Sequence, residues 1–561
     1  MTLFARIIQF TRLGARLVYG QLRRGPGALA DLFRDTVLTF FGKSSVDRNR
    51  ESAVVVGVTA GEKPAGEEPV QGQGPPAKKR RRAAFVTQFG LGLLRQGNVE
   101  DAKWVLDRGV GWFGADQRLR AAADVVEGEH VVLCGRWSPP QVAGVPVLVD
   151  RAPGRVLHVV GKSLPQTLAG YTVRTQSVVT AQRSVGLDPA VVTKLGFPWY
   201  VGGEADAAIE HVDGIPHYRI GSGEVPRRWD DRLDANLAAL VPIVEEVRPR
   251  VLHAHSDFEN PLLALALGER FDLPVVYEVR GFWEETWLSK SPERTPEADR
   301  FRWRHERELG CIQRADHVVT LAETMRSRMA ADGVDPARVT IVPNAVDPAD
   351  FPVMTRNEDL GKRLGIASTE VVVGYITSLV SYEGIDTLIK ALRLARDSGL
   401  PVRGLIVGDG DQRESLEQLA TARGVADVVT FTGRVPYDQV LDYYSLIDIF
   451  VVPRRNDRVC RLVTPLKPFE AMSTGRALVM SAVPALADIA SESEAAVTFE
   501  PENAADLATV LNRLVGDEAA RAALADQGAT WVRAHRTCCL LYTSPSPRDH
   551  LSYLVCRLLL E

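Results

Sequence analysis

The chain has 561 residues, and 67 lysines and arginines against 71 aspartates and glutamates leave a formal net charge of −4. That length holds two or three domains at roughly 150 residues each, and 45% hydrophobic with 25% charged residues is the make-up of a soluble globular protein, whose charge excludes nucleic acid as a partner of the whole chain. Six cysteines without metal-ligand spacing exclude a disulfide framework and point to a reducing compartment, the cytoplasm.

No apolar run approaches the roughly 20 residues of a membrane span. Residues 1–58 read as a basic amphipathic segment. In its first 24 residues, Phe4, Ile7, Ile8, Leu13 and Leu17 alternate with Arg6, Arg12, Arg16, Arg23 and Arg24. The arginines interrupt any signal-peptide core. The pattern suits a peripheral contact with the inner face of the cell membrane, and equally a helix packed on the protein or left loose. Residues 59–82, rich in Gly, Pro, Glu and Lys, read as a disordered linker. It ends in the run Lys78 to Arg82, a solvated linker end that also resembles a nuclear signal.

Residues 83–150 read as a small helical appendage. Phe89, Leu91, Leu93, Leu94, Ala102, Val105 and Leu106 keep helical spacing, broken at Gly97-Asn98. Residues Leu93 to Ala102 resemble half of a tetratricopeptide unit, which alone cannot bury its own faces.

From Arg155 short β-rich runs alternate with helical stretches. Strands are expected at 155–160, 190–193, 250–253, 274–279, 317–320 and 339–342. The alternation restarts with 371–376, 402–407, 428–432, 448–452 and 477–481. These two blocks, 151–350 and 351–537, predict an α/β fold of two doubly wound, Rossmann-like domains facing a cleft. Such sheets bind ligands at the carboxyl ends of their strands.

Four such ends follow one another in the second block: Thr377-Ser378 leading to Glu383-Gly384, Gly408-Asp409-Gly410-Asp411, Gly433-Arg434, and Pro453-Arg454-Arg455. After the last comes Thr464-Pro465-Leu466-Lys467-Pro468-Phe469-Glu470-Ala471-Met472. It reads as a helix start, with Thr464 as cap, Pro465 at the first helical position and Gly475 as the stop after about three turns. Lys467 opposes the helix dipole. With free backbone N–H groups it would form an anion pocket, and Glu470 on the same face suits the paired hydroxyls of a ribose. A surface helix carrying an ordinary ion pair uses the same residues.

The order and wording of these segments resemble the donor half of GT-B glycosyltransferases of family 4, which are retaining enzymes. The signature there is two glutamates separated by seven residues, and Glu470-Ala471-Met472 matches the second, which binds the donor ribose. The first falls on Leu462. The family's diphosphate-gripping Arg and Lys fall on Ser378 and Glu383, so the charge has to come from Lys467, Arg454, Arg458 and Arg461. Tyr382-Glu383-Gly384 with Thr-Pro-Leu-Lys resembles a branch found in exopolysaccharide and cell-surface glycan clusters. In the first block, the loop through Gly161 and Gly170 resembles the family's glycine loop near donor and acceptor. Val251 to Ser256 resembles the strand ending in His-x-His, here His253 and His255. Val275 to Glu284 resembles the strand that carries the active-site histidine, which aligns with Arg280. Arg280 cannot act as a base at neutral pH. It suits an anion on donor or acceptor, or a structural ion pair with Glu278 or Glu284. Val342 to Asp347 resembles the phrase closing the first domain.

The likeness covers about residues 155–537. It implies transfer of a hexose-type sugar from a UDP- or GDP-sugar to a glycan or lipid-linked acceptor with retention, in surface polysaccharide assembly. Catalytic candidates are Arg280, Glu278 and His255. The donor set is Glu470, Lys467, Leu466, Thr464, Arg461, Arg454, Arg434, Gly408, Gly410, Ser378 and Gly170. No bound cofactor and no metal are expected, because Asp409-Gly410-Asp411 fits the GT-B glycine turn better than an Asp-x-Asp metal site. Residues 538–561 lose the family pattern, resemble a translated assembly scar, and leave out the last helix that crosses to the first domain. Other readings are a GT-B epimerase or phosphorylase and a non-catalytic GT-B scaffold.

Overall fold

The computed structural model describes residues 77–140, 151–221 and 225–537. The segment 1–58, most of the expected linker and the tail 538–561 lie outside the described residues. The chain divides into two compact units, 1–127 and 128–561.

The first unit holds helices Ala77–Gln96 and Val99–Phe113, and the helix Gln117–Leu133 crosses the boundary between the units. One expectation is corrected here. Residues 77–82 are helical rather than linker, because alanine, lysine and arginine favour helix once Pro76 is passed. The division between the units falls within a continuous helix. The break at Gly97-Asn98 is a glycine stop. Gly97 takes φ +90°, and the N–H groups of Gly97 and Asn98 donate to the carbonyls of Leu94 and Leu93, both at 3.0 Å. The first two helices meet closely through glycines: a Cβ at Gly90 would lie 2.6 Å from Leu106 Cγ, and one at Gly109 2.6 Å from Val86 Cγ1.

The second unit carries two sheets. The first consists of β1 (Arg155–Val160), β2 (Asp188–Thr193), β3 (Ile209–Val212), β4 (Ile215–Tyr218), β5 (Val251–His255), β6 (Val275–Val279), β7 (His317–Thr320) and β8 (Val339–Ile341). Their order is β3-β4-β2-β1-β5-β6-β7-β8, parallel except for β3 against β4. The second consists of β9 (Val371–Ile376), β10 (Val402–Val407), β11 (Val429–Phe431), β12 (Ile449–Val452), β13 (Ala477–Ser481) and β14 (Ala496–Phe499), ordered β11-β10-β9-β12-β13-β14 and parallel throughout. Strands buried on both faces need continuous apolar runs, and Val-rich β9 and β12 supply them.

All eleven expected strands are present, and three more are found. β3 and β4 form a hairpin whose two-residue turn, Asp213-Gly214, has φ of 50° and 76°. That Asp-Gly pair is a hairpin signal in the sequence, muted because each flanking strand has only four residues and β3 sits at the sheet edge. β14 is an edge strand of the same length.

The second lobe's core is built on Tyr375, Leu405, Phe450, Phe469 and Val479, all buried. It also takes in Val346 and Phe351, so its packing begins before the expected boundary at 350. Helix Glu518–His535 closes the described chain, with Trp531 stacked on Phe469 at 6.4 Å. The Val346 N–H then donates to the Arg536 carbonyl at 2.9 Å, which returns the chain to the segment joining the lobes.

Candidate functional site

Three neighbouring strands of the first sheet bring one polar cluster together. His158 on β1 lies opposite His253 on β5, and His255 on β5 lies opposite Glu278 on β6. Side chains two residues apart on a strand share a face, so His253 and His255 stack at 4.5 Å. Glu278 is fully buried. Its Oε1 accepts from Arg174 Nε at 2.6 Å and Arg280 Nε at 3.1 Å, and its Oε2 from Arg280 Nη2 at 3.3 Å. Burial alone would raise this carboxyl. The guanidiniums of Arg174 and Arg280 outweigh that and hold it well below the usual carboxylate range.

Arg280 stands just past β6. Its Nη1 donates to the Tyr171 carbonyl and to Thr175 Oγ1, both at 2.8 Å, and its Nη2 donates to His255 Nδ1. His255 is thereby left with its proton on Nε2, facing His158 Nδ1 at 2.8 Å, and His158 Nε2 faces Gln182 Oε1 at 2.8 Å. Arginine only donates and an amide oxygen only accepts, so one direction runs along the whole chain: Arg280 to His255 to His158 to Gln182. Both histidines are therefore neutral. Burial lowers both well below the usual imidazole range, helped at His158 by His253 and at His255 by Arg280.

The ligand atoms of His158, His253 and His255 lie within 4.8 Å of one another. The set does not fit a divalent ion. His158 Nδ1 and His255 Nε2 are committed to each other, and two guanidiniums make the surroundings cationic. His253, with neither ring nitrogen hydrogen-bonded, remains as a buried ring 3.4 Å from Glu278 Oε2.

On the second lobe, the Thr464 segment differs from its reading. The helix runs Lys467–Ser473, with Leu466 at its cap position and no side-chain cap. Thr464 is no cap: its hydroxyl is buried without a partner, while Pro468 takes the early helical position expected for Pro465. The helix is two turns long, not three. Gly475 does stop it, with φ +72° and with the N–H groups of Gly475 and Arg476 on the carbonyls of Met472 and Ala471, both at 3.0 Å. Lys467 Nζ pairs with Glu470 Oε2 at 2.8 Å, and the buried Tyr444 hydroxyl donates to that same oxygen at 2.7 Å.

The structure brings several expected residues together across the lobes. A Cβ on Gly170, the first residue of helix Gly170–Ser184, would lie 3.3 Å from Leu466 Cδ1, and one on Gly281 would lie 3.8 Å from Val463 Cγ2. Other members of the set stand elsewhere in the second lobe. Gly408 and Gly410 are required by backbone packing, since a Cβ there would lie 1.8 Å from the Thr377 carbonyl oxygen and 2.4 Å from that of Leu379. Ser378 is exposed on that partner loop. Arg434 is exposed beside Gly433, which bridges Gly408, and Arg461 is exposed on helix Arg458–Leu462.

Arg454 corrects the expectation of a free donor cation. It is buried against Glu383, with Nη2 at 2.8 Å from Oε1 and Nε at 3.3 Å from Oε2. Burial would lower its pKa, and Glu383 reverses that. Glu383 thus neutralises this arginine. Arg458 is likewise paired, to Glu285 at 2.7 Å.

Sequence reading missed Arg174, His158 and Tyr444 as members of the site. Histidine inside the valine-rich β1 was a usable signal, because a fully buried strand has little room for polar groups. Arg174 sits four residues before Val178 on the buried helix face, a weaker sign. Nothing in the sequence marks Tyr444 as the partner of Glu470, because they meet only through the second lobe's core.

Residues 357–531 match the family "Glycosyl transferases group 1", and residues 169–345 match "Glycosyl transferase 4-like domain". A 2-deoxystreptamine glucosyltransferase of Streptomyces kanamyceticus is 26% identical over 228 residues, covering 40% of this chain and 58% of that protein. A D-inositol 3-phosphate glycosyltransferase of Geodermatophilus obscurus is 26% identical over 320 residues, covering 55% and 68%. The chain thus spans little more than half the length of the first of these relatives. Among solved structures, a sucrose-phosphate synthase from Thermosynechococcus elongatus superposes with a TM-score of 0.58 at 18% identity, over 72% of this chain and 98% of that one. The Anabaena protein HepE in complex with UDP-glucose superposes with a TM-score of 0.54 at 16% identity, over 69% and 96%. The fold is GT-B.

Proposed function

We propose that this chain, whose two lobes are those of the GT4-type glycosyltransferases, is a hexosyltransferase. It moves a hexose from a UDP- or GDP-sugar to a glycan or lipid-linked acceptor with retention, in exopolysaccharide or other cell-surface polysaccharide assembly. The observation that carries this reading is Glu470. Tyr444 and Lys467 both bind its Oε2, which fixes the carboxylate and leaves Oε1 for a ribose hydroxyl. Relatives named as glucosyl-, N-acetylglucosaminyl- and mannosyltransferases support a hexose, and a neighbour solved with UDP-glucose supports a nucleotide-sugar donor.

In the reaction the bond between the anomeric carbon and the diphosphate oxygen breaks, and the electron pair leaves with the nucleoside diphosphate. The acceptor hydroxyl forms the new bond from the same face, and its proton passes to the departing phosphate oxygen. Lys467, half-buried beside Glu470, stabilises the charge growing on that phosphate, with Arg434 and Arg461 as further exposed cations. Arg280, clamped by Glu278 and His255, supplies a fixed positive charge on the acceptor side. Exposed Tyr171, Tyr200 and Trp283 follow strands β1, β2 and β6 and suit an acceptor's sugar faces. No helix among the described residues is long and apolar enough to cross a membrane.

Calorimetric titration of the purified chain with UDP and GDP tests the site. Binding to wild type and its loss in Glu470→Ala and Lys467→Ala is the expected result, and intact binding in both variants would sink the assignment. The neutralised Arg454–Glu383 pair favours a second reading, a non-catalytic GT-B scaffold. Nucleotide binding without sugar turnover across a donor screen would select it.

A further inference from the structure

We propose that Asn344 and Arg174 are positioning residues that set the donor segment Thr464–Glu470 in register with Arg280 across the two lobes; the proposal rests on the donor role given to that segment above. Three successive carbonyls, those of residues 462, 463 and 464, are each held by a side chain. Thr324 Oγ1 donates to the Leu462 carbonyl at 2.7 Å, Arg454 Nη1 to the Val463 carbonyl at 3.1 Å, and Asn344 Nδ2 to the Thr464 carbonyl at 2.8 Å. Arg454 belongs to the second lobe. Thr324 stands on helix Glu323–Ala331 of the first, and Asn344 lies in the segment joining the lobes. The stretch just before the donor helix is therefore held from both sides of the cleft.

Asn344 is also the end of a continuous path. Its Oδ1 accepts from Arg174 Nη1 at 3.3 Å, and the same guanidinium donates to the carbonyls of Pro343 at 2.9 Å and Val342 at 2.8 Å. Its Nε binds Glu278 Oε1, the oxygen that Arg280 Nε also binds. One buried carboxylate thus orients the acceptor-side cation directly and the donor segment through Arg174, Asn344 and the Thr464 carbonyl. Asn344 and Arg174 are 4% and 6% exposed, so water does not substitute for these bonds. The arrangement predicts that breaking the path misplaces the two halves of the site relative to each other and leaves the donor lobe able to bind nucleotide.

Asn344→Asp isolates the link. It keeps an acceptor for Arg174 and replaces the N–H donor facing the Thr464 carbonyl with a carboxylate oxygen. In the full chain the variant is expected to bind UDP or GDP within about threefold of wild type, while kcat falls roughly tenfold, the consequence of one unsatisfied buried carbonyl. Amide hydrogen exchange in 465–473 should quicken while β9 and β10 keep their protection. Thr324→Val, nearly isosteric, should give the same split through Leu462 and serves if Asn344→Asp does not fold. Unchanged kcat and exchange in the folded variants would overturn the proposal, as would equal losses of nucleotide affinity and kcat. The exchange measurement needs no substrate. A wild-type chain that binds neither nucleotide would therefore refute the donor reading, and exchange would still decide the link.

Discussion

Glu278 is the residue on which the polar contacts of the first lobe converge. It is buried, ionised and shared by two guanidiniums, and two buried charges of the same sign would face each other without it. Breaking a buried pair by removing one partner costs about 3–5 kcal/mol, because the remaining charge keeps its desolvation penalty. Glu278→Gln should lose that much stability in urea unfolding. Lys467→Ala breaks a pair within one helix whose lysine stays partly exposed, and it leaves Glu470 the Tyr444 hydroxyl, so it should cost less than Glu278→Gln. Equal losses in the two variants would mean that the two pairs do not differ in burial as the structure has them. The sequence marked both residues, but not their difference. Lys467 stood out by opposing its helix dipole. Glu278 sits in an ordinary β-run, and its weight depends on Arg174, 104 positions away in sequence.

Among the elements, the strand-end loops of the second lobe owe their shape to glycines. Gly384 has φ +68°, and a Cβ there would lie 1.9 Å from the Pro453 carbonyl oxygen. Gly475 has a similar φ of +72°, but its added Cβ would meet only Val353 at 3.4 Å. A left-handed non-glycine residue costs roughly 1–2 kcal/mol. Gly475→Ala should show about that loss in thermal unfolding, and Gly384→Ala distinctly more, since a backbone oxygen cannot move aside as a side chain can. Equal costs would mean that the Pro453 loop gives way. The eleven strands legible in sequence are those with continuous apolar runs. The three missed ones have four residues each, too few for a pattern to show, and two of them, β3 and β14, stand at sheet edges.

For the whole molecule, the buried neutral histidines couple folding to pH. His158 and His255 titrate well below the usual imidazole range in the folded chain, by burial first and then by His253 and Arg280 respectively. Below about pH 6.5 the unfolded chain takes up protons that the folded chain refuses, so stability falls as pH falls, by at most about 1.4 kcal/mol per pH unit for each histidine. Glu278, held low by its two arginines against burial, adds a second loss once unfolded glutamates begin to protonate near about pH 4.3. Urea midpoints measured between about pH 7.5 and 5.5 should decline in wild type and decline less steeply in His158→Gln with His255→Gln, where His217 and His317, also lowered by burial, keep the rest of the slope. A wild-type profile with no slope in that range would mean that the two rings are charged in the folded chain.

The two α/β blocks, their strand order in the chain, and the segment that carries Lys467 and Glu470 are legible from residue order alone. Those features are local: apolar runs, glycine stops and a proline near a helix start act within a few residues. Tertiary structure alone decided which charges are available. Arg454 lies next to arginines that are exposed or paired on the surface, and nothing in its neighbours says that Glu383, 71 positions earlier, cancels it. His255 and His158 likewise became a neutral hydrogen-bonded chain only through the pairing of β1 with β5 and the approach of Arg280. Long-range electrostatics depends on distance in space, and chain position carries that distance only after the sheets have assembled.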